Sequence, residues 1–451
     1  MREGSLARLP NPVIVVPGII ATYLRDQYPI PSELIWTLMS KNYERAALHP
    51  DDLAASVANQ AATYEAIQPA RVVPDQLYEI AYSELINELR HNLSLTSDRP
   101  VPVYPFGYDW RQPLEVVQAE LAAFVREVAR RTSLLRHYHQ DGYAADSQVN
   151  LIGHSMGGLV IAGYLSQFGD EKRVQKVVTL ATPFQGSFEA VIKVTTGTAN
   201  LGTTPPSSRE REAARMTPGL YYLMPSFAEG LTVAPGLPNS LFDPGLWQTT
   251  IIDTIAEYIR LHGLDPDRAK ADRRAAAAKI FADMLRMARQ HRTNVERLDL
   301  GKAGLTAKSW LCVVGVDATT RVRLEVVKNG QEPEFAFRTA DRMDEWGKPP
   351  PADPKLTGDG TVPFAGAVPP FLPYQSLVCV TPSDYGYWEI GDVALTEVGG
   401  FHGILPNMNM LHRMIVRFFA DLPDTRKNTW GRPPPGVTEA QWDPPLKLSP
   451  P

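Results

Sequence analysis

The chain has 451 residues, enough for one large domain with insertions or for two ordinary ones. It is 44% hydrophobic and 21% charged, with a formal net charge of −5, so no basic excess points to nucleic acid as a partner. The two cysteines, Cys312 and Cys379, sit in the apolar runs WLCVVGV and SLVCV and read as free thiols buried in strands. That pattern supplies neither a disulfide framework nor a Cys/His metal spacing, and no cofactor is expected.

The opening residues, MREGSLARLPNPVIVVPG, lack the long apolar core and cleavage site of a leader peptide. No stretch approaches the roughly 18 uninterrupted apolar residues of a membrane span. The expectation is a soluble, cytoplasmic protein.

In chain order, short apolar β-branched runs alternate with helical patterns, which argues for a mostly parallel sheet covered on both faces. The predicted strands are Pro12–Val16, Val149–Ile152, Val177–Ala181, Trp310–Val316 and Leu377–Val380. The spacing of Val117, Leu121, Phe124, Val125 and Val128 predicts a helix over Leu114–Leu135. A second helix, Gly157–Phe168, follows the second strand. Leu411, Met414, Ile415, Phe418 and Leu422 mark a last amphipathic one.

Two stretches break this beat. Residues 24–100 hold the helical patches SELIWTLM and SELINELRHNL. Residues 187–305 run from Gly/Thr/Pro-rich loops into the helical DRAKADRRAAAAKIFADMLRMARQ. Both are assigned to cap or lid insertions in a hydrolase domain spanning 1–423. A hairpin is expected at Asn329-Gly330, and residues 424–451 read as a Pro-rich tail extended on the surface.

The chemistry centres on Gly153-His154-Ser155-Met156-Gly157. A G-x-S-x-G match arises by chance roughly one time in seven in a chain of this length, so the motif alone decides little. Its surroundings decide more. The apolar VNLI runs straight into it and the helical GGLVIAGYLSQF leaves straight from it, the strand–turn–helix order of a nucleophile elbow.

A serine hydroxyl needs a base, and the base needs a carboxylate to hold its tautomer. In this fold the order along the chain is Ser, acid, His. Of the later histidines, His262 and His291 fall in the helical insertion, and His412 falls on the expected polar face of the last helix. His402, in the Gly-flanked loop VGGFHGILP, is the candidate base. Asp359 in LTGDGTVPF is the candidate acid, with Asp384 and Asp392 as rivals by order. The tetrahedral intermediate needs two backbone N–H donors; Met156 supplies one and Ile19, after VIVVPG, is nominated for the other.

Six motifs together resemble the lecithin:cholesterol acyltransferase family. They are PVIVVPG at 12–18, YDWR at 108–111, GHSMGG at 153–158, LATPFQGS at 180–187, GDGTVP at 358–363 and the His402 loop. The resemblance implies an α/β-hydrolase fold, a triad of Ser155, Asp359 and His402, and an oxyanion hole of Ile19 and Met156. It implies a substrate-binding role for Tyr108, Asp109 and Trp110; the other reading of YDWR is a buried Asp–Arg ion pair. Secreted members carry a disulfide-closed, membrane-touching lid where this chain has ELIWTLMSKNYERAALHPDDL. Trp36 carries that position over, without a nearby cysteine, and a transient contact with a membrane surface is the implied partner.

The expected function is a serine hydrolase of lipid-like carboxylic esters working through an acyl-serine, with an alcohol in place of water making it an acyltransferase. A non-catalytic hydrolase fold that only binds is the reading from another class. Nothing in the sequence sets an oligomeric state.

Overall fold

The computed structural model describes residues 9–37, 39–59, 64–94, 96–197, 206–330, 332–340, 357–386, 389 and 400–449. Twelve strands are described within it. In chain order they are β1 (Val13–Val16), β2 (Thr22–Asp26), β3 (Glu33–Trp36), β4 (Val72–Leu77), β5 (Val103–Pro105), β6 (Val149–His154), β7 (Val174–Leu180), β8 (Leu231–Val233), β9 (Trp310–Gly315), β10 (Thr320–Asn329), β11 (Glu332–Ala340) and β12 (Val378–Val380).

Six of them form the central sheet in the order β12-β9-β7-β6-β1-β5, each neighbouring pair parallel. Strands buried on both faces read as continuous apolar runs, and Val13–Val16 and Val149–His154 are buried throughout. Ile14 and Val16 face the helices Leu114–Ser133 and Met156–Phe168, while Val13 and Val15 face the helices Glu79–Leu93 and Asn409–Ala420. This is the α/β-hydrolase fold.

All five predicted strands are present, within a few residues of their expected ends. The sixth, β5, was not predicted: it is three residues long, follows Pro100 and Pro102 and ends on Pro105, so it carries none of the apolar length that marks the others. Prolines are tolerated there because β5 is an edge strand.

Two smaller sheets lie outside this beat, in the orders β3-β2-β4 and β11-β10-β8. SELIWTLM was expected as helix and is instead strand β3, with Ile35 and Trp36 buried and Leu34 and Met39 exposed; Leu38 lies outside the described residues. The pairing with β2, which local propensity does not register, decides it. SELINELRHNL is the helix Glu79–Leu93. It packs on the central sheet beside the last helix, although it lies in the stretch read as the first cap. The expected hairpin is β10–β11; Asn329 pairs with Glu332, so the chain turns through Gly330, at φ 65°.

The long helix of the second insertion is Lys270–Glu296. His412, expected on an exposed face, is 2% exposed, with Nε2 2.7 Å from the Pro406 carbonyl. The last helix is covered on more sides than its amphipathic pattern suggests: by the sheet, by the helix Glu79–Leu93 and by the chain's end. Arg417 Nη2 bonds the Lys447 carbonyl, and Arg432 exchanges both backbone bonds with Cys379 on edge strand β12. Cys312 and Cys379 are free and buried, and burial pushes the Cys312 thiol up to about 12. Among the described residues, no helix is long and apolar enough to cross a membrane.

The sheet and the helix after β6 meet at one point of close backbone approach. A methyl on Gly157 would run into the carbonyl oxygens of Val16 and Pro17. Neither neighbour is a side chain that can step aside. Gly157→Ala is expected to lower stability by about 2–3 kcal/mol, read from the urea midpoint. An unchanged midpoint would mean that β1 and this helix are free to separate.

Candidate active site

β6 ends at His154 and the next helix begins at Met156, so Ser155 alone makes the turn, at φ 53° and ψ −127°. Its N–H is held by the Leu180 carbonyl of the neighbouring strand at 2.9 Å. A non-glycine residue with positive φ is strained, and here sheet and helix over-determine it. The hydroxyl is thereby presented at the carboxyl end of the sheet. Met156 opens the helix, so its N–H has no acceptor within the helix.

His402 comes from the other end of the chain, in residues 400–404, which are helical rather than the loop expected. Its Nε2 lies 2.9 Å from Ser155 Oγ and its Nδ1 lies 2.7 Å from Asp359 Oδ2. Asp359 is 1% exposed. Its other oxygen accepts the N–H groups of Thr361 and Val362 at 2.9 and 2.7 Å, and its own carbonyl accepts the His402 N–H at 3.2 Å. The same carboxylate thus closes a turn on its own backbone and holds the histidine. A carboxylate only accepts, so His402 Nδ1 carries a proton and Nε2 presents a lone pair to the serine.

Asp384, one rival acid, is turned elsewhere. It accepts from Thr381 N at 2.8 Å and Trp430 Nε1 at 2.9 Å and pairs with Arg432. Asp392, the other, lies outside the described residues.

The loop after β1 runs against the serine: a Cβ on Gly18 would sit 3.0 Å from Ser155 Cβ. The Gly18 N–H is taken by Tyr82 Oη at 2.9 Å, so the next N–H of the loop belongs to Ile19, the nominated donor. Beside it lies a small apolar cavity lined by Ile19, Ile20, Trp36, Trp110, Ala214 and Leu220, among others. Trp36 packs on Trp110 with ring centroids 4.7 Å apart.

YDWR divides by residue. Trp110 lines the cavity. Tyr108 donates to the Pro17 carbonyl at 3.0 Å and is wholly buried. Asp109 and Arg111 form the ion pair: Arg111 Nε to Oδ1 at 2.8 Å and Nη2 to Oδ2 at 2.6 Å. Arg111 also reaches Glu65 at 3.2 Å and the Ala46 carbonyl at 3.0 Å, both in the first insertion.

Two side chains at the site were not found in the sequence, Tyr82 and His154. His154 Nδ1 lies 2.7 Å from Tyr82 Oη and Nε2 lies 2.9 Å from the His402 carbonyl. Burial, with His402 adding to it, brings the His154 pKa down to about 3. The motif position of His154 was a signal left unused; Tyr82 sits in an ordinary helical pattern and carried none. Among the described residues no group of three or more His, Cys, Asp or Glu could hold a metal ion.

The model of the lecithin:cholesterol acyltransferase family matches residues 73–240. The family resemblance holds. The matched stretch contains YDWR, GHSMGG and LATPFQGS; the other three motifs lie outside it. No curated protein matches. Among solved structures, the crystal structure of the Tle4-Tli4 complex is similar at 14% identity, covering 91% of this chain and 98% of that one, with a TM-score of 0.49. The product of the gene lin2722 from Listeria innocua is similar at 16% identity, covering 56% and 79%, with a TM-score of 0.19. At such identities and overlaps the likeness says nothing of what this chain acts on.

Removing the guanidinium would leave Asp109 and Glu65 buried without their cation. Arg111→Met is therefore expected to lower stability by about 3–5 kcal/mol, measured by urea unfolding. A loss below about 1 kcal/mol would show that this ion pair does not anchor the first insertion.

Proposed function

We propose that this chain is a serine ester hydrolase that cleaves lipid-like carboxylic esters through an acyl-Ser155 intermediate. The observation that carries the reading is the unbroken line Ser155 Oγ, His402 Nε2, His402 Nδ1, Asp359 Oδ2, with separations of 2.9 and 2.7 Å at its two contacts.

In this mechanism Ser155 Oγ attacks the ester carbonyl carbon as its proton passes to His402 Nε2. The carbonyl oxygen becomes an oxyanion facing the Ile19 and Met156 N–H groups. The bond to the leaving alkoxide breaks, and the same proton moves from Nε2 to that oxygen. Water then gives a proton to Nε2 as it attacks the acyl carbon, and that proton passes to Ser155 Oγ as the acyl bond to it breaks, releasing the acid and restoring the serine. Asp359 stays ionised and holds the ring with Nδ1 protonated. The family match favours a second acceptor at the last step, since an alcohol attacking the same acyl-Ser155 makes a new ester. Mass spectrometry of products formed with and without added long-chain alcohol separates the two.

A fluorophosphonate is expected to label Ser155 alone, and Ser155→Ala to abolish labelling and lower kcat by roughly 10⁶. Asp359→Asn is expected to cost roughly 10⁴ in kcat with the fold intact, because the amide favours the wrong tautomer of His402. Near-wild-type turnover in a folded Ser155→Ala sinks the mechanism.

The apolar cavity beside Ile19 supports an acyl chain rather than a small acid group. Each methylene moved out of water contributes about 0.8 kcal/mol, and Trp36 and Trp110 are placed to cover it. The kcat/KM for p-nitrophenyl esters is expected to rise from about four to about ten acyl carbons. Trp36→Ala should flatten that rise and leave the shortest ester nearly unchanged. A wild-type profile that peaks at acetyl or butyryl would mark a small-ester esterase instead.

A further inference from the structure

Two successive residues of the elbow hold the same histidine. Ser155 Oγ faces the His402 ring, while the side chain of His154 reaches the His402 main chain, with Nε2 2.9 Å from the carbonyl oxygen. A carbonyl only accepts, so His154 Nε2 carries a proton. The ring is fully enclosed and stays neutral, which leaves a lone pair on Nδ1. Tyr82 Oη, 2.7 Å away, therefore donates to Nδ1, and its own lone pair accepts the Gly18 N–H at 2.9 Å. Each proton along Gly18, Tyr82, His154 and His402 has one place. The chain runs from the loop that carries Ile19 to the backbone of the residue that carries the base.

We propose that Tyr82 and His154 are positioning residues that fix the Ile19 loop and the His402 backbone in one frame, so that the oxyanion donor and the base meet the same ester carbonyl. This rests on the reading of Ser155, Asp359 and His402 as the reacting set. The two groups come from segments nearly four hundred residues apart, and neither touches the other through side chains in the chain just traced. Tyr82 reaches the site from the helix Glu79–Leu93, which is itself packed on the sheet. Loss of the link leaves binding of the ester in place and loosens the geometry of attack, so the effect falls on kcat. Misplacement by about 1 Å is worth on the order of 10² in rate.

The test uses hydrolysis of p-nitrophenyl octanoate, with kcat expressed per site titrated by fluorophosphonate. Tyr82→Phe is expected to lower kcat on the order of 10²-fold with KM changed less than about twofold. His154→Asn should fall as far, because its amide can take the Tyr82 proton but does not reach the His402 carbonyl. His154→Gln places an N–H farther out toward that carbonyl and should recover about tenfold over His154→Asn. A purely structural role would lower the melting temperature and the number of titrated sites while leaving kcat per site unchanged. Full kcat per site in Tyr82→Phe and in His154→Asn, beside a dead Ser155→Ala, overturns this inference alone. Turnover surviving in Ser155→Ala overturns the reading of the site and this inference with it. If Tyr82→Phe fails to fold, the contrast between the two His154 variants decides the matter.

Discussion

The rest of the site hangs on one backbone residue held where side chains rarely go. Ser155 turns the chain from a fully buried strand into a helix buried from Met156 to Leu165 within a single residue, at φ 53°. Such a conformation stores about 1–3 kcal/mol of strain and persists only when its surroundings leave no alternative. Here β1 and β7 flank the strand, the Leu180 carbonyl holds the Ser155 N–H, and the helix presses its second residue against the end of β1. Relaxing the turn would require pulling buried secondary structure apart. The position of the Ser155 hydroxyl is thus stabilised by the burial of its neighbours.

The same crowding sets what can surround the hydroxyl. The end of β1 passes so close to Ser155 that the Gly18 loop lies alongside it. On the other side the ring of His402 is gripped twice. Asp359 accepts from its Nδ1–H and, through its backbone carbonyl, from its N–H. A base held at ring and backbone by one residue has little freedom to swing away from the serine. The two backbone N–H groups on Asp359 Oδ1 hold its carboxylate in place beneath the ring.

What the sequence disclosed follows physical lines. The central strands were legible because burial on both faces leaves runs such as VIVV and VNLI that need no tertiary information to recognise. Two of the three residues proposed to react, Ser155 and Asp359, stood out because a sharp turn demands glycine and leaves a local signature, as in GHSMG and GDGTV. Strand β3 was misread because its state is decided by pairing with β2, which no local pattern contains. β5 escaped notice because an edge strand of three residues bounded by prolines looks like a loop. One partner of Arg111 was in view in YDWR, and the other was hidden for another reason. Asp109 stands two residues away, but Glu65 comes from the first insertion, and only the fold brings it within 3.2 Å.

That ion pair bears on selectivity as well as stability. Arg111 ties Asp109 in the core to Glu65 and Ala46 in the first insertion, and the neighbouring Trp110 packs against Trp36 from the same insertion. The cavity wall is therefore shared. Ile19 and Trp110 come from core loops, Trp36 from the first insertion, and Ala214 and Leu220 from the second. A wall built from three separate parts can be reshaped by either insertion without moving Ser155, His402 or Asp359. Ser155 is held at the end of the sheet, whereas the cavity is shaped by how these three parts meet over it. Changes in acyl preference should then arise from residues of the insertions at that seam, and changes in rate per bound ester from the turn residues at the end of the sheet.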